Sequence, residues 1–129
     1  MKEIDWSSLS FGYMKTDYNV RCWYRDGAWG EIEVSSEETL NIHIAATCLH
    51  YGQEAFEGLK AYRCPDGKVR VFRMDENAAR LQSSCRGIMM PEMPTEKFEE
   101  MVSKVVRLNE AYIPPYESGA SLYIRPLLI

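Results

Sequence analysis

Residues 49–63 read LHYGQEAFEGLKAYR, which sets two aromatic side chains, Tyr51 and Phe56, close to two glycines, Gly52 and Gly58. Glycine lets a backbone bend sharply or approach a ligand closely, and aromatics flanking such a bend can line a pocket. Two carboxylates, Glu54 and Glu57, lie in the same stretch. Read as a short helix over 52–59, the segment places them three apart on one face, a spacing open to acid–base chemistry. A short helix feeding a hairpin, with the pair turned to solvent or to backbone, accounts for the same residues. Near the C-terminus, Tyr123 and Arg125 are two apart in a strand-like run and so share a face. An aromatic and a cation placed that way can receive a carboxylate, or can be the surface pair of an edge strand. His43 and His50 are the only histidines, and no second ligand stands at metal spacing from either, so no metal site is expected. Cys22, Cys48, Cys64 and Cys85 are far apart and form no C-x-x-C pair, which reads as reduced thiols.

The elements that must position these groups follow from turn chemistry and periodicity. Asp26-Gly27 between β-forming residues 20–24 and the alternating run 29–34 predicts a tight hairpin, because both central positions of that turn need positive φ. Residues 35–39 are a polar, acidic loop. Residues 40–50, with Ile42 and Ile44, read as a strand followed by a bend. Cys64-Pro65-Asp66-Gly67 has proline second and glycine fourth, the pattern of a type I turn, joining strands at 59–63 and 68–74. Val69 and Val71 should face one side of that hairpin, Arg70 and Phe72 the other.

Asp75 is a suitable N-cap for a helix whose Ala78, Leu81, Cys85 and Ile88 recur at helical spacing, with Gly87 and Pro91 ending it. Arg80 lies off that apolar stripe, beside Arg86, and reads there as solvated. Thr95 should cap a longer helix over 96–112, buried through Phe98, Met101, Val102, Val105 and Leu108, with Glu100 and Lys104 paired outside. Pro114-Pro115 stops it, and residues 121–129 form a last strand. Strands and three helices in mixed order predict an α+β (or open α/β) domain, with helices on one face of a largely antiparallel sheet.

The chain has 129 residues, enough for one domain with its own core. A net charge of −4 argues against a nucleic-acid partner. No apolar run approaches the ~20 residues that cross a bilayer, and the opening MKEIDWSS has no apolar core of a signal peptide, so a cytoplasmic protein is expected. The apolar end Pro126-Leu127-Leu128-Ile129 is unlike the polar, loosely held end of most domains, so the natural chain is expected to continue.

HYGQEAFEG followed by LKAYR resembles the branched-chain amino-acid aminotransferases, pyridoxal-phosphate enzymes of the class IV fold. So do DENAARLQSSCRGIMMP at 75–91, SLYIRPLLI at 121–129 and the opening FGYMKTDYN at 11–19. The resemblance runs along nearly the whole chain in the right order, but covers only the smaller, N-terminal domain of the family's two. It implies an enzyme that moves an amino group between leucine, isoleucine or valine and 2-oxoglutarate through pyridoxal 5'-phosphate, as a homodimer. By the same resemblance, Arg80 in the ARL position holds the cofactor phosphate, a task that suits a permanently charged guanidinium. Tyr51, Phe56 and Gly58 match the substrate pocket, as do Tyr123 and Arg125 of the LYIRP strand, and Phe11 matches more weakly. The Schiff-base lysine belongs to the family's second domain. Lys2, Lys15, Lys60, Lys68, Lys97 and Lys104 are the lysines here, and none has that context, so the chain alone should carry no catalytic residue and be inactive. Two alternatives stand beside this reading. One is a sister class IV enzyme, a D-amino-acid aminotransferase or aminodeoxychorismate lyase; the other is a free-standing, non-catalytic ligand-binding domain.

Overall fold

In the computed structural model, which describes residues 2–129, the first hairpin is an arm of two antiparallel pairs. Strand β1 (Asn19–Arg21) pairs with β4 (Glu33–Ser35), and β2 (Tyr24–Arg25) with β3 (Ala28–Trp29). The turn forms where its sequence predicts, with φ of 52° at Asp26 and 79° at Gly27. Helix α1 (Thr47–Tyr51) follows and ends at Gly52, whose φ of 63° is the left-handed stop that glycine tolerates. Strand β5 (Ala55–Phe56) then leads into β6 (Leu59–Arg63) and β7 (Val69–Val71).

The β6–β7 turn closes through the Gly67 N–H donating to the Cys64 carbonyl at 2.9 Å. Asp66 fastens it by accepting from the Lys68 N–H at 3.0 Å and from both Arg70 terminal nitrogens at 2.9 and 2.7 Å. Helices α2 (Met74–Gly87) and α3 (Thr95–Leu108) come next. Strand β8 (Leu122–Ile124) returns to β6, giving the order β7-β6-β8, and β9 (Leu127–Leu128) returns to β5. Every strand pair is antiparallel.

Alternation sorts β6 into two faces. Leu59 and Ala61 are buried while Lys60 is exposed and Tyr62 is 43% exposed. The inner face, with Val69, Val71 and Ile124, packs on Ala78, Leu81 and Cys85 of α2 and on Phe98, Val102 and Val106 of α3. A side chain as large as Phe98, 2% exposed, contributes about 1.5–3 kcal/mol by burial. Asn109 ties the N-terminal segment to this core: its Nδ2 donates to the Tyr18 carbonyl at 2.9 Å, and its Oδ1 accepts from the Tyr18 N–H at 3.1 Å.

Several expectations are corrected. Residues 52–59 are not a helix; the helix lies upstream, at Thr47–Tyr51, and residues 40–46 form no strand. Gly52 in the left-handed region ends the helix, and Ala55 and Phe56 are claimed by pairing with Leu128 and Leu127. Asp75 does not cap α2: Arg73, at φ 50°, takes the N-cap place, and Asp75 stands in the first turn. Its acidic side chain still suits the helix dipole there. Thr95 is the first residue of α3 rather than its cap, and its hydroxyl accepts from Gln82 Nε2 at 3.1 Å. The helix ends at Leu108, and a 3-10 turn, Glu110–Tyr112, replaces its expected last turn. Glu100 and Lys104 form no ion pair among the described residues. The last strand is broken into β8 and β9 around Pro126, which has no N–H to give a ladder.

Candidate functional site

The two strand returns bring distant side chains together. Because β8 pairs with β6 and β9 with β5, the β5–β6 connection lies against the β8–β9 connection, and the Glu57 N–H donates to the Pro126 carbonyl at 3.0 Å. The Arg125 guanidinium carbon sits 4.4 Å from the Phe56 ring centroid and 5.3 Å from that of Tyr123. Its Nη2 donates to Tyr123 Oη at 3.2 Å. The Phe11 ring meets Tyr123 edge-on, 5.6 Å between centroids at 80°. Gly58 completes the group: a Cβ there would stand 2.0 Å from Tyr123 Oη and 2.9 Å from its Cζ, so the phenol lies across bare backbone. Phe11, Phe56, Gly58, Tyr123 and Arg125, singled out from the sequence, therefore converge. An aromatic wall holding a guanidinium by cation–π contact can take an apolar ligand and still answer a carboxylate.

Tyr51 does not join them. It ends α1 with its ring 84% exposed, and its aromatic neighbour is His50 at 6.4 Å. The two histidines fold the loop before α1: His43 Nδ1 accepts from the Ala45 N–H at 3.0 Å, and His50 Nε2 is 2.7 Å from the Ile44 carbonyl oxygen. All four cysteines are free thiols.

Arg80 stands on α2, three residues beyond Asn77, and its partner is Glu57. Arg80 Nε donates to Glu57 Oε1 and Nη2 to Oε2, both at 2.6 Å, and Asn77 Nδ2 donates to Oε2 at 3.1 Å. The pair is lopsided, with the Arg80 side chain 69% exposed and that of Glu57 3%. Arg80 holds the Glu57 carboxyl below its usual range, against burial, which pushes it up; Asn77 adds to the lowering.

Arg80 is exposed, as its place off the apolar stripe implies, but it is paired with Glu57; the Glu57 turned to solvent is corrected. Glu57 was missed as a site residue, although a signal was present. From Ala55 to Ala61 alternate residues are buried, namely Ala55, Glu57, Leu59 and Ala61, and period-two reading of that run points Glu57 inward.

The guanidinium suits one end of a phosphorylated ligand. Arg80 carries five N–H donors on three edges. Glu57 occupies the Nε/Nη2 edge, and the Nη1/Nη2 edge makes no hydrogen bond to another described residue. That free edge can meet two phosphate oxygens at once. An open depression on this side of α2 is lined by Glu76, Asn77, Ala79, Arg80 and Ser83. No helix among the described residues is long and apolar enough to cross a membrane.

No protein-family model matches the chain. Among curated proteins it is 48% identical to a branched-chain-amino-acid aminotransferase of Haemophilus influenzae, over 129 residues. It is 44% identical to one of Helicobacter pylori, and in both cases all of this chain is covered but only 38% of the relative's length. Among solved structures, the Escherichia coli branched-chain amino acid aminotransferase superposes with a TM-score of 0.64 at 29% identity, over 88% of this chain and 32% of that one. A branched-chain amino acid aminotransferase of T.th., complexed with N-(5'-phosphopyridoxyl)-L-glutamate, superposes with a TM-score of 0.63 at 28% identity, over 89% of this chain and 33% of that one. In sequence along its whole length, and in fold along most of it, the chain is similar to about a third of a branched-chain-amino-acid aminotransferase.

Proposed function

We propose that this chain is the N-terminal domain of a longer, cytoplasmic, homodimeric transaminase that passes the amino group of leucine, isoleucine or valine to 2-oxoglutarate. On this reading the lysine that reacts with the cofactor lies outside the chain, and the residues present do the holding. Pyridoxal 5'-phosphate, when bound, carries the amino group and supplies the electron sink. Arg80 grips its phosphate through the open guanidinium edge. Phe11, Phe56 and Tyr123 form the apolar wall for the substrate side chain, with Tyr51 as an outer surface at the end of α1. Gly58 leaves the room in which the Tyr123 phenol stands.

The observation that carries the proposal is the guanidinium of Arg125 lying on the Phe56 ring and bonded to Tyr123 Oη. A transaminase of this kind must accept leucine in one half-reaction and glutamate in the other. An apolar wall alone would reject glutamate, because burying an unpaired charge is costly. Arg125 resolves this. With leucine present it stays against Phe56 and Tyr123; with glutamate it turns to the side-chain carboxylate.

The test is Arg125→Met in the full-length protein, with single-turnover kinetics of each half-reaction followed by the cofactor's absorbance. Loss of one charge-assisted hydrogen bond, about 1.5–3 kcal/mol, predicts a ten- to hundredfold drop with glutamate and little change with leucine. Equal losses in both half-reactions would remove the dual role.

A further inference from the structure

We infer that Glu57 is a positioning residue: from beneath α2 it fixes the guanidinium plane of Arg80 so that the outward edge is held ready for a phosphate. The inference rests on the proposed reading of Arg80 as the phosphate-binding residue.

A carboxylate is an odd neighbour for an anion site, since its charge opposes the ligand's. A site built only for charge would leave the arginine unpaired. Here the carboxylate is buried while the arginine is exposed, the reverse of a surface ion pair in which both groups share solvent. An arginine with so much exposed length has many rotamers, and each one lost on binding weakens the grip. Two 2.6 Å bonds to one carboxylate fix both the position and the tilt of the guanidinium.

The carboxylate is itself held. Asn77 Nδ2 donates to it at 3.1 Å and also reaches the Gly58 carbonyl at 3.4 Å, while the Glu57 backbone N–H is bonded to Pro126. The same backbone stretch carries Phe56 and Gly58. Glu57 therefore sets Arg80 at a fixed place relative to the Phe56–Tyr123–Arg125 group. The logic is that of a carboxylate behind a metal-binding histidine, which orients a ligand it does not replace.

The experiment measures two dissociation constants in the full-length protein stripped of cofactor, one for pyridoxal 5'-phosphate and one for pyridoxal, which lacks the phosphate. Their ratio isolates the phosphate grip, because a general loss of structure weakens both ligands alike. Arg80→Ala should collapse the ratio. Glu57→Gln should lower it by roughly tenfold, the scale seen when an orienting partner is removed, with pyridoxal affinity nearly unchanged. Glu57→Asp keeps the charge but withdraws it by one carbon. It should also lower the ratio, and it decides the matter if Glu57→Gln does not fold. Adding Glu57→Gln to Arg80→Ala should change the ratio no further.

A ratio that stays at the wild-type value or rises in the Glu57 variants, while Arg80→Ala collapses it, would overturn the positioning role alone and leave Glu57 as an opposing charge. A further fall in the double variant would also overturn it, since Glu57 would then act other than through Arg80. A wild-type ratio in Arg80→Ala would overturn the phosphate reading and the positioning role together.

Discussion

Replacing Gly58 by alanine tests the geometry of the candidate site most directly. The added Cβ would stand 2.0 Å from Tyr123 Oη, 2.9 Å from Cζ and 3.3 Å from Cε2. Restoring ordinary contact requires the phenol to retreat by roughly 1.4 Å, so the strain falls on one side chain. That retreat gives up the Arg125 hydrogen bond at 3.2 Å and the edge-on contact with Phe11 at 5.6 Å. The hydrogen bond is solvent-exposed and so contributes at the low end of its range, about 0.5 kcal/mol; the aromatic pair contributes about 0.5 kcal/mol. Tyr123, 37% exposed, can swing outward, which keeps overpacking near the lower end of its range of about 1–3 kcal/mol. Gly58→Ala should therefore destabilise by about 1–2 kcal/mol. The assay is a double-mutant cycle with Tyr123→Ala, scored by denaturant unfolding of the full-length protein. With the phenol gone the contacts at 2.0, 2.9 and 3.3 Å are removed, and Gly58→Ala should cost less than about 0.5 kcal/mol, the limit within which independent sites add. An equal cost in both backgrounds would refute the reasoning, since the strain would then lie in the backbone. If the proposed function holds, the displaced phenol should also slow the glutamate half-reaction of the full-length protein, as misplacements of about 1 Å cost up to a hundredfold.

Three other outcomes are expected. The 129-residue chain, mixed with pyridoxal phosphate, leucine and 2-oxoglutarate, should form no glutamate; turnover near the typical ~10 s⁻¹ of an enzyme would defeat the two-domain reading. Arg80→Ala should lower stability, because it leaves the Glu57 carboxylate buried without its cation. Adding Glu57→Gln should restore part of that loss in an unfolding titration. Asp66 is held down at about 2, first by Arg70 and then by the Lys68 N–H, against an ordinary 3.8. A folded-state value below the unfolded one gives stabilisation that is complete above 3.8 and disappears as the pH falls through about 2. The stability gap between wild type and Asp66→Asn should therefore be constant near neutrality and close in that acid window; a gap that persists at low pH would contradict the assignment.

What could be read from the sequence was local. Asp26-Gly27 and Cys64-Pro65-Asp66-Gly67 define their turns by their own φ requirements, and both hairpins form as expected. The stripes of α2 and α3 bury Ala78, Leu81, Cys85, Phe98 and Val102 because a helix repeats its face within the segment. What could not be read depends on partners far along the chain. A two-residue strand such as β5 has no periodicity of its own and exists because Leu127 and Leu128 come back to it. The contact of Phe11 with Tyr123 and the pairing of Glu57 with Arg80 are of the same kind.

The resemblance named residues on both sides of the candidate site without saying how they could share one place. The geometry supplies the reason. Through residues 55–61 the side chains alternate, with Ala55, Glu57, Leu59 and Ala61 inward and Phe56 and Lys60 outward, and the missing Cβ of Gly58 would point at Tyr123. Glu57 faces α2 and holds Arg80, while its two neighbours face the β8–β9 connection and meet Tyr123 and Arg125. On the proposed reading, the phosphate end and the side-chain end of the site are opposite faces of one extended stretch, held in a single register by β5–β9 and β6–β8 pairing. A slip of one residue would exchange the faces, burying Phe56 where Glu57 belongs and removing both halves together.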